Sequence, residues 1–217
     1  MNILAFNTST EKFSISIVKN NKIVFKLSKL LKKTYSKYLI LIIKKSLKRS
    51  NLDIKKINYI LISLGPGSFT GVRIGVVAAK GIGLPHKIKV LGLNNMDVIA
   101  NSIKQKTIKK KIITIIKSKK NDYYYQVFNS GKKSIKKISY FTIFDLPKIF
   151  ANKNIIFCGD IDMNLINEIK KSNKMAVFDK KLNFNADRMI DIFKKKGINS
   201  LEKDLDPIYV YDHYAKK

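Results

Sequence analysis

At 217 residues, with 44 Lys and Arg against 15 Asp and Glu, the chain is long enough for a full core and carries a formal net charge of +29. A chain of this length buries about 70% of its unfolded surface, so one large domain or two lobes both fit. No apolar run reaches membrane-spanning length, no leader pattern opens the chain, and the lone Cys158 excludes an intramolecular disulfide framework. The expectation is a soluble, cytoplasmic protein.

The basic excess points two ways. Lysines near phosphate release counterions, which suggests nucleic-acid contact. Yet only Arg49, Arg73 and Arg188 are arginine, and Lys, Ile and Asn dominate every segment, as drift in an AT-rich genome would produce. Base and phosphate readers lean on arginine's planar fork. Assistance to RNA binding and simple compositional bias both stay open.

Asn2–Phe6 reads as a short apolar strand ending in Asn7-Thr8-Ser9-Thr10. Phe13–Val18 alternates as a half-buried strand, and Asn20-Asn21 turns it into a third, Ile23–Leu27. Thr34 or Ser36 caps a helix carrying Tyr38, Leu39, Leu41, Ile42, Ile43 and Leu47, an apolar set wider than one face needs. Tyr59–Leu64 is a buried strand. After it comes a stretch, Gly65–Gly83, that holds six of the chain's ten glycines.

Gly65-Pro66-Gly67 is a sharp turn, and Ser68 or Thr70 caps the helix that follows. Gly71, Gly75, Ala79 and Gly83 recur every four residues, forming one bare stripe along that helix. Three readings fit: a phosphate cradle, a seam for a partner helix, or a close helix-on-sheet contact without a ligand. Pro85 ends the helix; Lys89–Gly92 is a strand and Asn95–Lys104 a helix begun by Asn94 or Asn95.

Lys104–Lys111 is basic and poor in core residues, a candidate lobe boundary. Strands are expected at Ile112–Ile116, Tyr123–Asn129 and Ser134–Tyr140, then a short helix at Phe144–Phe150, a strand at Ile155–Cys158 and a helix at Leu165–Lys171. A strand at Met175–Phe178, a helix at Ala186–Lys195 and an extended Pro207–Val210 complete the chain. Both halves thus read βββαβα. The fold class expected is α/β, a duplicated ribonuclease-H-like architecture of the actin, sugar-kinase and chaperone ATPase type, with lobes at 1–104 and 105–217.

On such folds the first hairpin cradles nucleotide phosphate and magnesium with a carboxylate and hydroxyls. Asn7 occupies the carboxylate position, and an amide neither holds Mg²⁺ as an anion nor acts as a base. The same residue argues against a two-metal nuclease. His86 and His213 are far apart with no second ligand at helical spacing, so no metal site is expected. Cys158 reads as a small buried hydrophobe, and Tyr123-Tyr124-Tyr125 as core plus surface.

Three stretches together resemble a known family: Ile3-Leu4-Ala5-Phe6-Asn7-Thr8-Ser9-Thr10, the block from Gly65 to Gly75, and Pro207-Ile208-Tyr209-Val210. They are similar to the TsaB (YeaZ) family of tRNA threonylcarbamoyladenosine biosynthesis, over residues 1–105 chiefly and more thinly beyond. The resemblance implies a non-catalytic assembly subunit without catalytic residues of its own. Its implied partners are a catalytic paralogue, TsaD, and an ATPase, TsaE, in a complex that modifies the adenosine beside the anticodon of tRNAs reading A-starting codons. ATP and Mg²⁺ would act in that wider complex, and both a heterodimer and, for the chain alone, a homodimer stay open.

Pairing in the family runs through the helices that correspond to Thr34–Arg49 and Ser68–Leu84. The implied interface is Tyr35, Tyr38, Leu39 and Ile42 on the first, and Ser68, Phe69, Thr70, Gly71, Val72, Arg73, Gly75, Val76 and Ala79 on the second. Asn7, Thr8, Ser9, Thr10, Gly65 and Gly67 would be vestigial anion or nucleotide contacts. The chain departs from the family's usual residues at Asn7 (Asp), at Tyr35-Ser36 (His-Ser or His-Thr) and at Lys117-Ser118-Lys119 (Asp-Ala-Arg). The glycine-rich turn after Ile155–Cys158 keeps only Gly159. Competing readings are an actin-like phosphotransferase or peptidase-like enzyme in its own right, and a stand-alone basic RNA-binding protein.

Overall fold

The computed structural model describes residues 1–10, 12–30, 35–103, 110–179 and 184–210. Contacts divide the chain into two compact units, the first built from Met1–Asn95 with Asn185–Ile208 and the second on Met96–Phe184.

In the first unit β1 (Ile3–Asn7), β2 (Lys12–Lys19) and β3 (Lys22–Leu30) form an antiparallel meander. Asn20 and Asn21 take left-handed φ values of 50° and 65°, giving the two-residue turn that matches strand twist. After α1 (Tyr35–Arg49), β4 (Tyr59–Gly65) joins β1 in parallel; after α2 (Phe69–Gly83), β5 (Lys89–Asn94) joins β4. The sheet order is β3-β2-β1-β4-β5. Strand alternation places Leu4, Phe6, Ile15, Ile17, Ile60 and Ile62 in one core with Leu39 and Ile43 of α1 and Val72 and Val76 of α2.

The opposite face carries Ser14 and Tyr59, and α5 (Ala186–Lys196) covers it. The Ala186 amide donates to Ser14 Oγ at 2.9 Å, and the Phe193 ring lies 5.0 Å from that of Tyr59. This differs from the expected division at residue 104, in which α5 falls in the second lobe, 105–217. Its amphipathic face packs on the first sheet, so the chain returns to unit one. The chain stays there as far as Ile208, whose amide donates to the Leu64 carbonyl at 2.8 Å. Of the boundary stretch expected at Lys104–Lys111, residues 104–109 lie outside the described part, as does the cap candidate Thr34.

In the second unit β6 (Lys111–Lys119), β7 (Asp122–Phe128) and β8 (Ser139–Thr142) repeat the meander. β9 (Ile155–Gly159) joins β6 in parallel and, after α4 (Met163–Ser172), β10 (Val177–Asp179) joins β9. The order β10-β9-β6-β7-β8 is the first sheet's order again, which makes the fold a duplicated ribonuclease-H-like one. α3 (Asn95–Ser102) leads from the first unit into the second.

Two expectations shift here. The third strand is Ser139–Thr142 instead of Ser134–Tyr140, with Ser134 making one isolated bridge to Phe128. The helix expected at Phe144–Phe150 is a 3₁₀ turn at Lys148–Ala151, because Pro147 removes a donor and pushes Leu146 out of helical backbone. Tyr123 is fully buried and stacks on Phe141 at 5.2 Å, while Tyr124 meets Tyr140 on the other face, as the alternating reading of the tyrosine run requires.

Candidate functional site

The site is built where β1 and β4 end and α2 begins. Asn7 closes β1, fully buried. Its Oδ1 accepts from the Ser9 amide at 2.9 Å and from Ser9 Oγ at 2.7 Å, and its Nδ2 donates to Thr10 Oγ1 at 3.2 Å. Such a turn is what a short amide side chain makes with its own backbone. Thr8 Oγ1 donates to the Gly71 carbonyl at 2.7 Å.

Behind the hairpin Ser63 Oγ lies 2.9 Å from Ser9 Oγ and donates to Asn95 Oδ1. Asn95 Nδ2 donates at 2.8 Å both to Ser9 Oγ and to the Pro66 carbonyl. The chain of protons is therefore closed. Ser63 gives to Asn95, Asn95 to Ser9 and Pro66, and Ser9 to Asn7. Every buried polar side-chain atom among the described residues has a partner.

The turn into α2 is tied to the same knot. Gly65 holds a φ of 95°, which favours glycine, and the Ser68 amide donates to the Ser9 carbonyl at 2.7 Å. A Cβ at Gly67 would overlap that carbonyl, so the two loops touch only because residue 67 has no side chain. Ser68, not Thr70, is the cap: its Oγ accepts from the Gly71 amide at 3.2 Å.

The bare stripe of α2 faces this interior. A Cβ on Gly75 would overlap Thr8 Oγ1, one on Gly83 would press on Val90, and Ala79 is fully buried. Gly71, Val72 and Val76 are buried beside them. The stripe is thus a helix-on-sheet contact within the unit. Six implied interface residues, Leu39, Gly71, Val72, Gly75, Val76 and Ala79, belong to the unit's own interior and are not open to a partner. The small residues serve close approach to the sheet, which reverses the seam expectation at these positions.

The rest of the implied interface does face outward. Tyr38, Ser68, Thr70 and Arg73 are exposed, and Ile42 and Phe69 half-buried. The Arg73 guanidinium lies 3.7 Å over the Phe69 ring, a cation–π contact on the first turn of α2. The side chain of Tyr35 lies outside the described part. The implied interface leaves out four further exposed apolar residues: Ile40 and Leu41 on α1, the second already counted in that helix's over-wide apolar set, and Val77 and Leu84, 69% and 83% exposed, along α2 and just past its end. Helical angle would have found them, since Val77, Gly81 and Leu84 lie opposite Gly75 and Ala79. A Cβ at Gly81 would meet nothing within 4 Å.

The corresponding corner of the second unit is charged. Gly159 ends β9 with a φ of 114°, and Asp162 caps α4, its Oδ1 accepting from the Leu165 amide at 2.9 Å. Asp162 Oδ2 meets Lys117 Nζ at 2.7 Å and accepts from the Tyr123 hydroxyl at 3.1 Å. Partial burial pushes the Asp162 pKa up, but the bonds from Lys117, the Leu165 amide and Tyr123 outweigh it and hold the carboxyl below the usual range. Burial first, and the Asp162 charge second, push the Tyr123 hydroxyl to about 12. Burial likewise drives the Cys158 thiol well above its ordinary value, the state of an inert core thiol. Among the described residues no group of three or more His, Cys, Asp and Glu is placed to hold a metal ion, and His213 lies outside them.

The family model for TsaD, tRNA N6-adenosine threonylcarbamoyltransferase, matches residues 28–201. The chain is 32% identical to the tRNA threonylcarbamoyladenosine biosynthesis protein TsaB of Buchnera aphidicola subsp. Schizaphis graminum, over 57% of this chain and 58% of that protein. The match therefore spans little more than half the length of that curated relative. Among solved structures, YeaZ from Pseudomonas aeruginosa superposes with a TM-score of 0.73 at 14% identity, covering 96% of this chain and all of that one. A Bacteroides thetaiotaomicron protein with an actin-like ATPase fold gives 0.54 at 13% identity, covering 89% of this chain and 95% of its own. The chain belongs to the TsaD family and is similar to proteins named TsaB and YeaZ.

Proposed function

We propose that this chain acts in tRNA threonylcarbamoyladenosine biosynthesis as a non-catalytic assembly subunit, docking a TsaD-type catalytic paralogue through the outward faces of α1 and α2, in a complex served by a TsaE-type ATPase. The observation that carries this reading is the exposed apolar set Tyr38, Ile40 and Leu41 on α1, Val77 on α2 and Leu84 just past its end, the two helices packing together. Exposed apolar side chains gathered on one face mark interaction sites. The name of the Buchnera relative supplies the pathway.

The strand-end cradle does not suit a magnesium–phosphate group. Its carboxylate position holds an amide, and the Ser9, Ser63 and Asn95 polar atoms are occupied by one another. Chemistry on nucleotide would then belong to the partners, and tRNA would be met through the complex.

The test is purification of the tagged chain at native level from its own cell. The expected result is a TsaD-type paralogue at near-equal amount, with no ATP turnover by the chain alone. Steady Mg-ATP hydrolysis by the isolated chain, with no paralogue retained, would overturn the proposal.

A further inference from the structure

We infer that Asn95 is a positioning residue for the docking helix: its amide locks the Pro66 carbonyl to the end of β1 and so sets where Phe69 and Arg73 are presented. This rests on the docking role proposed above. Asn95 is fully buried at the start of α3, 86 residues from Ser9 in sequence, yet one NH₂ group bonds both Ser9 Oγ and the Pro66 carbonyl. Its Oδ1 is fixed from the other side by Ser63. An amide clamped at both ends cannot pivot. The Pro66 carbonyl it holds lies two residues before the Ser68 cap and three before Phe69, whose ring carries Arg73.

The sheet alone does not give this control. Gly65 and Gly67 flank Pro66 without a side chain of their own to anchor the turn. Thr8, holding the Gly71 carbonyl, fixes the helix one turn further on. Between those two points, among the described residues, the Ser9 carbonyl and Asn95 are the groups that hydrogen-bond Pro66–Ser68 to the sheet and α3. Asn95 thus sets the turn's position, and an acidic or apolar side chain in its place supplies no donor to the Pro66 carbonyl.

The test is Asn95→Asp in the full chain at pH 8, a substitution of equal shape that sets an oxygen against the Pro66 carbonyl and Ser9 Oγ. Amide hydrogen exchange and binding to the catalytic paralogue are read together. Exchange at the Ser68 and Gly71 amides should rise about tenfold or more, with β2 and β3 amides unchanged, and binding should weaken about tenfold. Ser63→Ala buries no charge and frees the Asn95 carbonyl end, so it should give the same localised change to a smaller degree, and it stands in if Asn95→Asp does not fold. Exchange that is unchanged at Ser68 and Gly71, or raised evenly across the unit, would overturn the inference. Local loosening in a protein whose unsubstituted form does not hold the paralogue would instead sink the docking role and leave Asn95's hold on the turn standing.

Discussion

The two units carry the same corner in two chemistries. In each, a parallel strand ends in a left-handed glycine, Gly65 or Gly159, and three residues later a side chain caps the next helix through the amide three positions on. In the first unit the cap is Ser68, beside a neutral knot of Asn7, Ser9, Ser63 and Asn95. In the second it is Asp162, paired with Lys117 and Tyr123. The helices differ in the same sense. α4 buries Leu165, Ile166 and Ile169 and shows mostly polar residues to solvent, as an ordinary surface helix does. α2 buries one apolar face, and its outer side leaves Val77 and, just past the helix end, Leu84 exposed among Thr70, Arg73 and Lys80. A repeated corner can thus keep its geometry while one copy serves the unit's own stability and the other presents a surface.

The largest contrast lies between the two sides of α2. Gly75→Leu should destabilise the chain by about 3 kcal/mol, since Thr8 fills the space, and chemical denaturation will read it. For that reason Gly75→Leu reports folding and not docking.

The caps come next. Ser68→Ala and Asp162→Ala should each cost about 1 kcal/mol, and only the second should depend on pH. The Asp162 pKa is depressed on folding, so its contribution is complete above the unfolded carboxyl value near about 4. It is lost as pH falls through the lower folded value. The gap between the unsubstituted chain and Asp162→Asn should therefore shrink in acid, while the Ser68→Ala gap stays. In the same corner the Tyr123 hydroxyl should ionise near pH 12 in an ultraviolet absorbance titration of the folded chain. The smallest effect is at Gly81, outside α2: Gly81→Ala should stabilise by about 0.5 kcal/mol, because the added methyl meets no neighbour and raises helix propensity.

The first unit's elements were largely legible, because alternation in Phe13–Val18 and the Asn20-Asn21 turn carry local physics. The direction of the Gly71–Gly83 stripe was not. Small residues signal that something approaches closely, and a sheet of the same chain and a partner helix leave the same mark. Val72 and Val76, lying at the same helical angle, favour the sheet. The place of α5 was hidden for a similar reason: a strong apolar face demands burial without naming the sheet that supplies it. Asn95 read as a helix start, and its bond to Ser9 depends on a meeting that no local pattern encodes.

The central claim, that the exposed side of α1 and α2 is where a catalytic paralogue docks, is tested most directly by its affinity for the Val77→Asp, Leu84→Asp double variant. Both positions are solvent-facing, so the fold should hold to within about 0.5 kcal/mol of the unsubstituted chain. The expected result is a loss of paralogue affinity of about thirtyfold or more, the scale of removing a hot spot. A folded double variant that binds as tightly as the unsubstituted chain would contradict the account.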